Sequence, residues 1–117
     1  MAEIEIVHGQ VSLEHLRILA SGMFGDLIKA VVDVQLGIMA IGGELHADEE
    51  ALLLDEGSKQ ADLWGINLYP ADYGGLEWIE FDSMINVRPS SGNRSRAVED
   101  PTICIRIGDL VGRLVKP

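Results

Sequence analysis

Residues 63–87 read LWGINLYPADYGGLEWIEFDSMINV. Two apolar runs rich in Trp, Ile, Leu and Phe flank PADYGG, whose Pro70, Gly74 and Gly75 are turn formers. The stretch therefore predicts a β-hairpin with strands at 63–69 and 77–87. A hairpin needs further strands and a covering layer to be stable, and the chain upstream offers both. KAVVDV at 29–34 and IMAIGG at 38–43, joined by a short turn containing Gly37, predict a second hairpin. IEIV at 4–7 reads as a short first strand.

Helical patterns separate and follow the hairpins. SLEHLRILA at 12–20 has Ser12 as N-cap, Glu14 in the first turn and apolar residues at helical spacing. HADEEALLLDEG at 46–57 predicts a helix capped by Asp48, with Glu49 and Glu50 at its positive end and Gly57 as its stop. A strand over 51–55 is the alternative there, since three consecutive leucines fit either. EDPTICIRIGDLVGRLVKP at 99–117 predicts a helix with Asp100 as N-cap, Pro101 at its first position and a stripe of Ile103, Ile107, Leu110, Val111 and Leu114. Gly108 and Gly112 weaken it by about 1 kcal/mol each relative to Ala, and so are expected to mark a close crossing over the sheet. The order α-ββ-α-ββ-α predicts an α+β fold, an antiparallel sheet of two hairpins with helices packed on one face. At 117 residues the chain is expected to be one domain over 1–117, loose beyond residues 4 and 115.

Nine Lys and Arg stand against nineteen Asp and Glu, a net charge of −10. Counterion release needs a basic surface, so general nucleic-acid and anionic-membrane binding are excluded as expectations. Cys104 is the only cysteine, which excludes an intrachain disulfide and a multi-cysteine zinc site. MAEIEIVHG lacks the basic and long apolar regions of a signal peptide, and no apolar run is long enough to span a membrane. The expected compartment is the cytoplasm.

Against that acidic background RPSSGNRSR at 88–96 gathers Arg88, Arg94 and Arg96. Gly92-Asn93 tolerates positive φ, so successive backbone N–H groups can converge in a nest. Ser90, Ser91 and Ser95 add hydroxyls, and guanidinium groups bind phosphate or carboxylate through paired hydrogen bonds. The stretch predicts an anion site, with Arg88, Asn93, Arg94 and Arg96 as ligand-binding residues. It has neither P-loop nor dinucleotide-fold spacing. The alternative is internal: Arg94 and Arg96 clamp Glu99, Asp100 or the sheet carboxylates and pin the loop.

Strand alternation sorts the remaining candidates. Trp64, Ile66 and Leu68 share one direction, and Ile79, Phe81, Ile85 and Val87 share a face. Asp33, Asn67, Glu80, Asp82 and Asn86 are expected on the opposite, polar face. Such a face is ordinarily the solvated side of an antiparallel sheet. Read functionally, Glu80 and Asp82 stand about 7 Å apart on one strand, candidate metal ligands for a hard cation, with Asn67 and Asn86 as ligand-binding neighbours. GGELHAD at 42–48 places His46 among acids, a candidate general base alongside Glu80; a surface histidine at a helix start is the plain alternative. Trp64 and Trp78 read as packing, and Cys104 as inert core.

KAVVDV, GGELHAD, LLLDEGSKQADLWGINLYP and INVRPSSGNRSRAVEDP together resemble a family of small prokaryotic proteins catalogued as a domain of unknown function, family 5674. The resemblance implies one compact domain, and it carries over no activity and no catalytic residue. Three functional readings follow from the residues. The first is a small soluble protein binding a small anionic ligand, with or without a divalent cation. The second is a hydrolase or transferase using His46 or Glu80 as base, with the Arg loop stabilising developing charge. The third is a homo-oligomeric interaction protein, assembling through a sheet edge or Leu52–Leu54, in which the Arg loop is structural. No cofactor is named by any motif.

Overall fold

In the computed structural model, which describes residues 3–117, IKAVVD forms β3, Ile28–Asp33, at the centre of a five-stranded antiparallel sheet. β3 pairs with β4, Ile38–Ile41, as the upstream hairpin predicts, and on its other side with β5, Leu63–Leu68. β1, Glu5–Val7, lies beyond β4, and β6, Ile79–Glu80, beyond β5, so the order is β1-β4-β3-β5-β6. The β3–β4 turn is organised by Asp33, whose Oδ1 accepts the backbone N–H groups of Gln35 and Leu36 at 2.9 and 2.8 Å. Its Oδ2 accepts the Ser58 hydroxyl at 2.6 Å. Asp33 lies on the face on which alternation placed it, opposite Leu63, but as a buried turn-former and not as a solvated acid.

Three helices complete an α+β fold. α1, Leu13–Ser21, starts at Ser12, whose hydroxyl accepts the His15 N–H at 3.0 Å. α3, Pro101–Leu114, starts at Asp100, whose carboxylate accepts the Thr102 N–H at 2.9 Å, with Pro101 at the position where a missing N–H costs nothing. α2, His46–Asp55, settles the ambiguous leucine run as helix. Its start corrects the expected cap: Asp48 lies inside the first turn, and the residue before the helix, Leu45, makes no side-chain cap. Among the described residues, no helix is long and apolar enough to cross a membrane.

The helices do not share a face. Ala30, Val32, Met39, Ile41, Trp64, Ile66 and Leu68 form one core with α1 and α3. Val31, Ala40 and Leu63, on the opposite face, form a second core with Leu53 of α2. The expectation of one apolar and one solvated face is therefore corrected: α2 covers the second. A strand buried on both faces reads as a continuous apolar run, and AVV in β3 is such a run. Two smaller corrections concern α3 and the chain end. A side chain at Gly108 or Gly112 would meet nothing within 4 Å, so neither marks a close crossing. The terminus expected to be loose is tied down, because β7, Val115–Lys116, pairs in parallel with β2, Val11–Ser12.

The decisive departure lies in the hairpin predicted over 63–87. β5 forms as expected, but the return strand predicted over 77–87 is only two residues long. After Glu80 the chain leaves the sheet and makes a 3₁₀ turn at Met84–Asn86. The backbone edge of β5 that β6 abandons is satisfied by a side chain. Asn86 Oδ1 accepts the Gly65 N–H at 2.8 Å, and Asn86 Nδ2 donates to the Gly65 carbonyl at 3.0 Å and to that of Arg96 at 2.9 Å. Gly65 must be glycine for this approach: an added Cβ would fall 2.5 Å from the buried Ser83 side chain.

Asn86→Ala should therefore leave Gly65 without partners, at about 1–3 kcal/mol for each buried group left unpaired. Gly65→Ala should cost about 1–3 kcal/mol through overpacking against Ser83. Urea unfolding of both variants checks this, and a wild-type midpoint for Asn86→Ala would show that the amide is not what closes the sheet.

Candidate functional site

The basic loop is built from the inside. Backbone hydrogen bonds join Arg88 and Asn93 in both directions, at 2.7 and 3.2 Å, and Gly92 closes the turn at a φ of 87°. Asn93 is buried, and its Nδ2 donates to the carbonyls of Asn86, Ser95 and Ala97 while its Oδ1 accepts the Glu99 N–H. The Arg88 guanidinium turns inward. It donates to the Gln60 and Leu63 carbonyls at 2.5 and 2.6 Å and lies 4.2 Å from the centre of the Trp64 ring. Burial pulls its pKa below the ordinary guanidinium value.

Backbone N–H groups of this loop do converge on an anion, the chain's own Glu99, but they are not those of Gly92-Asn93, which go to the Pro89 and Arg88 carbonyls. One Glu99 carboxylate oxygen accepts the N–H groups of Arg94 and Ser95 at 2.8 and 2.7 Å, and these bonds, with the Ser95 side chain, hold its pKa below the usual carboxylate range. Beside the loop lies a cavity of about 300 Å³ with Trp64 and Arg88 in its wall, but Glu99 and Asp100 line it too. Those two carboxylates make it a poor receptor for an anion. Arg94 is exposed and makes no side-chain hydrogen bond or ion pair among the described residues. Arg96 binds Asp82, Nε to Oδ1, at 2.6 Å.

Arg96 leads to a second cluster, on the sheet face covered by α2. Lys29 of β3, Asn67 of β5 and Glu80 of β6 stand in one cross-strand row, where facing side chains approach within about 5 Å. Asn67 Nδ2 donates to Glu80 Oε1 at 2.8 Å and to the Asp82 carbonyl at 3.3 Å. The Tyr69 hydroxyl donates to the same Glu80 oxygen at 3.1 Å, and its pKa is raised by burial and by that carboxylate. With both donors of Asn67 pointed at oxygen, its amide orientation is determined. Asn67 Oδ1 is then left enclosed with no hydrogen-bond partner.

The first turn of α2 adds two side chains. His46 Nε2 lies 2.8 Å from the Ile66 carbonyl. A carbonyl only accepts, so Nε2 carries the proton and Nδ1 the lone pair. Burial lowers the His46 pKa, opposed by that hydrogen bond, and Lys29, Asp82 and Arg96 all act on it through space. Glu49, one turn on, is fully enclosed. Its Oε2 accepts the Gly43 N–H at 3.0 Å, its Oε1 has no partner, and burial pushes its pKa up to about 9.

Of the residues singled out by sequence, His46, Asn67, Glu80, Asp82 and Arg96 come together here. Arg88, Asn86 and Asn93 are spent on holding backbone. The Glu80–Asp82 metal site is not assembled, since the strand ends between them: Glu80 faces Asn67 and Tyr69, while Asp82 faces Arg96. Among the described residues, no group of three or more His, Cys, Asp or Glu is placed to hold a metal ion. Sequence reading missed Lys29, Tyr69 and Glu49. Glu49 was read only as an acid favouring a helix's positive end, and its spacing of three from His46 was the signal that both share a helix face.

The model of the family described as "Protein of unknown function (DUF5674)" matches residues 5–114. No curated protein and no solved structure matches the chain.

The loop and the α2 carboxyl each carry an expected outcome. Arg88→Ala should lower stability by about 1.5–3 kcal/mol, the range for hydrogen bonds to charged groups, while Arg94→Ala should leave the urea midpoint where it is. The Glu49 pKa is raised, so the folded chain keeps a proton that the unfolded chain releases. Its contribution is full at low pH and is lost as pH rises toward about 9, by at most about 1.4 kcal/mol per pH unit. His46 works in the other direction, its contribution being lost as pH falls below the free imidazole value. Above about pH 7 an imidazole is neutral in both states, and Glu49 dominates the comparison. Wild-type stability should fall from about pH 7 toward pH 9, and Glu49→Gln should flatten that fall. Parallel curves for the two proteins would mean that Glu49 is ionised in the folded chain.

Proposed function

We propose that this chain, which belongs to the DUF5674 family, is a binding domain for a small polar, anionic molecule. The site we assign is the cluster of Lys29, His46, Asn67, Glu80, Asp82 and Arg96 on the second sheet face. The observation that carries this reading is Asn67 Oδ1, an acceptor with no donor, beside an Arg96–Asp82 pair whose side chains are 55% and 42% exposed. An enclosed, unpaired acceptor is costly to keep. An exposed ion pair is weakly held and opens readily. A ligand that offers an N–H or O–H to Oδ1 and a carboxylate or phosphate to Arg96 would satisfy both. Of the basic loop, this assigns Arg96 to the ligand and leaves Arg88 and Asn93 as its frame.

The hydrolase or transferase reading has one observation of its own. His46 has its Nε2–H committed to a backbone carbonyl, so Nδ1 is a basic nitrogen within the field of Asp82 and Arg96. The same ligand panel separates the two readings, because an enzyme would consume its ligand.

Thermal unfolding of wild type and Arg96→Ala with amino acids, hydroxy acids, dicarboxylates, sugar phosphates and inorganic phosphate is the test. A ligand at a hundred times its dissociation constant adds about 2.7 kcal/mol of stability. The expected result is a shift in wild type with at least one compound, absent in a folded Arg96→Ala protein. An undiminished shift in the variant would move the site elsewhere.

A further inference from the structure

α1 turns Leu13, Leu16 and Ala20 into the core, and its last turn leaves Ile18 61% exposed. Phe24, in the loop that follows, is 44% exposed, and Leu45, before α2, is 56% exposed. These three do not lie scattered. With Leu19 and Met23 they line one open groove of about 910 Å³ between the end of α1, β1 and the β4–α2 connection. Single exposed apolar side chains are ordinary, whereas five gathered along one groove, with glutamates sharing its lining, mark a contact surface. The Phe24 ring is held in place by the Lys29 ammonium, 5.3 Å from its centre.

The charge around the trough narrows the occupant. Glu3, Glu5 and Glu44 line it, against the one Lys29 ammonium that rests over the Phe24 ring. Glu5 meets His15 Nε2 at 2.8 Å, while Glu3 and Glu44 make no side-chain hydrogen bond or ion pair among the described residues. Anionic headgroups would be repelled. A second copy is disfavoured on the same ground: the chain carries net charge −10, and its cationic stretch, RPSSGNRSR, has no large apolar side chain to fill a trough.

We propose that this groove docks a segment of a different protein that carries large apolar side chains flanked by Lys or Arg, in the helix-in-groove manner. The apolar side chains seat against Ile18, Phe24 and Leu45, and the cations meet Glu3 and Glu44. This surface touches the ligand site proposed above through Lys29, over the Phe24 ring, but uses neither Asn67 nor Arg96, so each can be tested without the other.

The probe is an amphipathic peptide of Leu and Lys at helical spacing, titrated into the full chain with chemical shifts followed by NMR. A peptide with Glu in place of Lys, and one with the Leu spacing broken, are the controls. Shifts should map to the groove for the first peptide alone. Leu45→Ser and Glu44→Lys should each weaken binding about tenfold, as expected for losing one buried apolar contact or reversing one facing charge. Leu76→Ser, which removes a fully exposed apolar side chain outside the groove, should not. Equal loss in all three variants, equal binding of the broken-spacing peptide, or no binding at all would overturn the proposal. Concentration-dependent dimerisation abolished by Leu45→Ser in sedimentation would overturn it too, by making a second copy the occupant.

Discussion

β5 is paired along one edge by six residues of β3, while β6 supplies two residues along the other. A strand with most of one edge bare would leave buried N–H and C=O groups unpaired, which a protein interior does not tolerate cheaply. The Asn86 side chain resolves this, because a primary amide presents one acceptor and two donors and can mimic a short piece of neighbouring strand. The consequence is that the chain after Glu80 is free of the sheet. It can turn at Met84–Asn86, carry Arg88 over Trp64 and return past Asp82 at Arg96. Asn93 repeats the device one step further out, gathering three carbonyls from the loop itself. Two asparagine amides thus do for residues 81–97 what ladder hydrogen bonds do for a strand.

This explains why an acidic chain concentrates cations in a loop rich in Gly, Ser, Asn and Pro. Arg88 serves as a multiple hydrogen-bond donor, reaching backbone carbonyls near the start of β5, a task for which the guanidinium fork is better suited than an ammonium. Glu99 takes the two N–H groups that follow the Gly-Asn turn, those of Arg94 and Ser95. The loop has the chemistry of an anion site because it already binds one, supplied by its own chain. Arg96 is the residue of this stretch whose partner, Asp82, belongs to the sheet face outside the loop.

Local rules made much of the fold legible. Ser12 and Asp100 announced two helix starts, two runs of strand formers around Gly37 announced the β3–β4 hairpin, and the leucine run in α2 was helix as its acidic first turn suggested. What local rules could not convey was burial. EWIEFDSMINV alternates well enough to be a strand, and nothing in its spacing reveals that Asn86 pairs with Gly65 across 21 residues. AVV does not say whether its second face meets water or a helix, and α2 on that face is what turned Glu49 and His46 into enclosed groups. Most polar residues of the candidate cluster were singled out by sequence, yet Glu80 and Asp82 do not pair as read, since a two-residue β6 puts them in different surroundings.

Lys29 stands where these surroundings meet. It is the end of the row that runs through Asn67 to Glu80, and its ammonium lies over Phe24 on the wall of the apolar groove. The charge is therefore shared: it acts on His46 and Glu49 from one side and rests on an aromatic face at the other. A position that enters both surfaces cannot report on either alone. Arg96 for the polar cluster, and Leu45 and Glu44 for the groove, are the residues through which each surface can be addressed without disturbing the other.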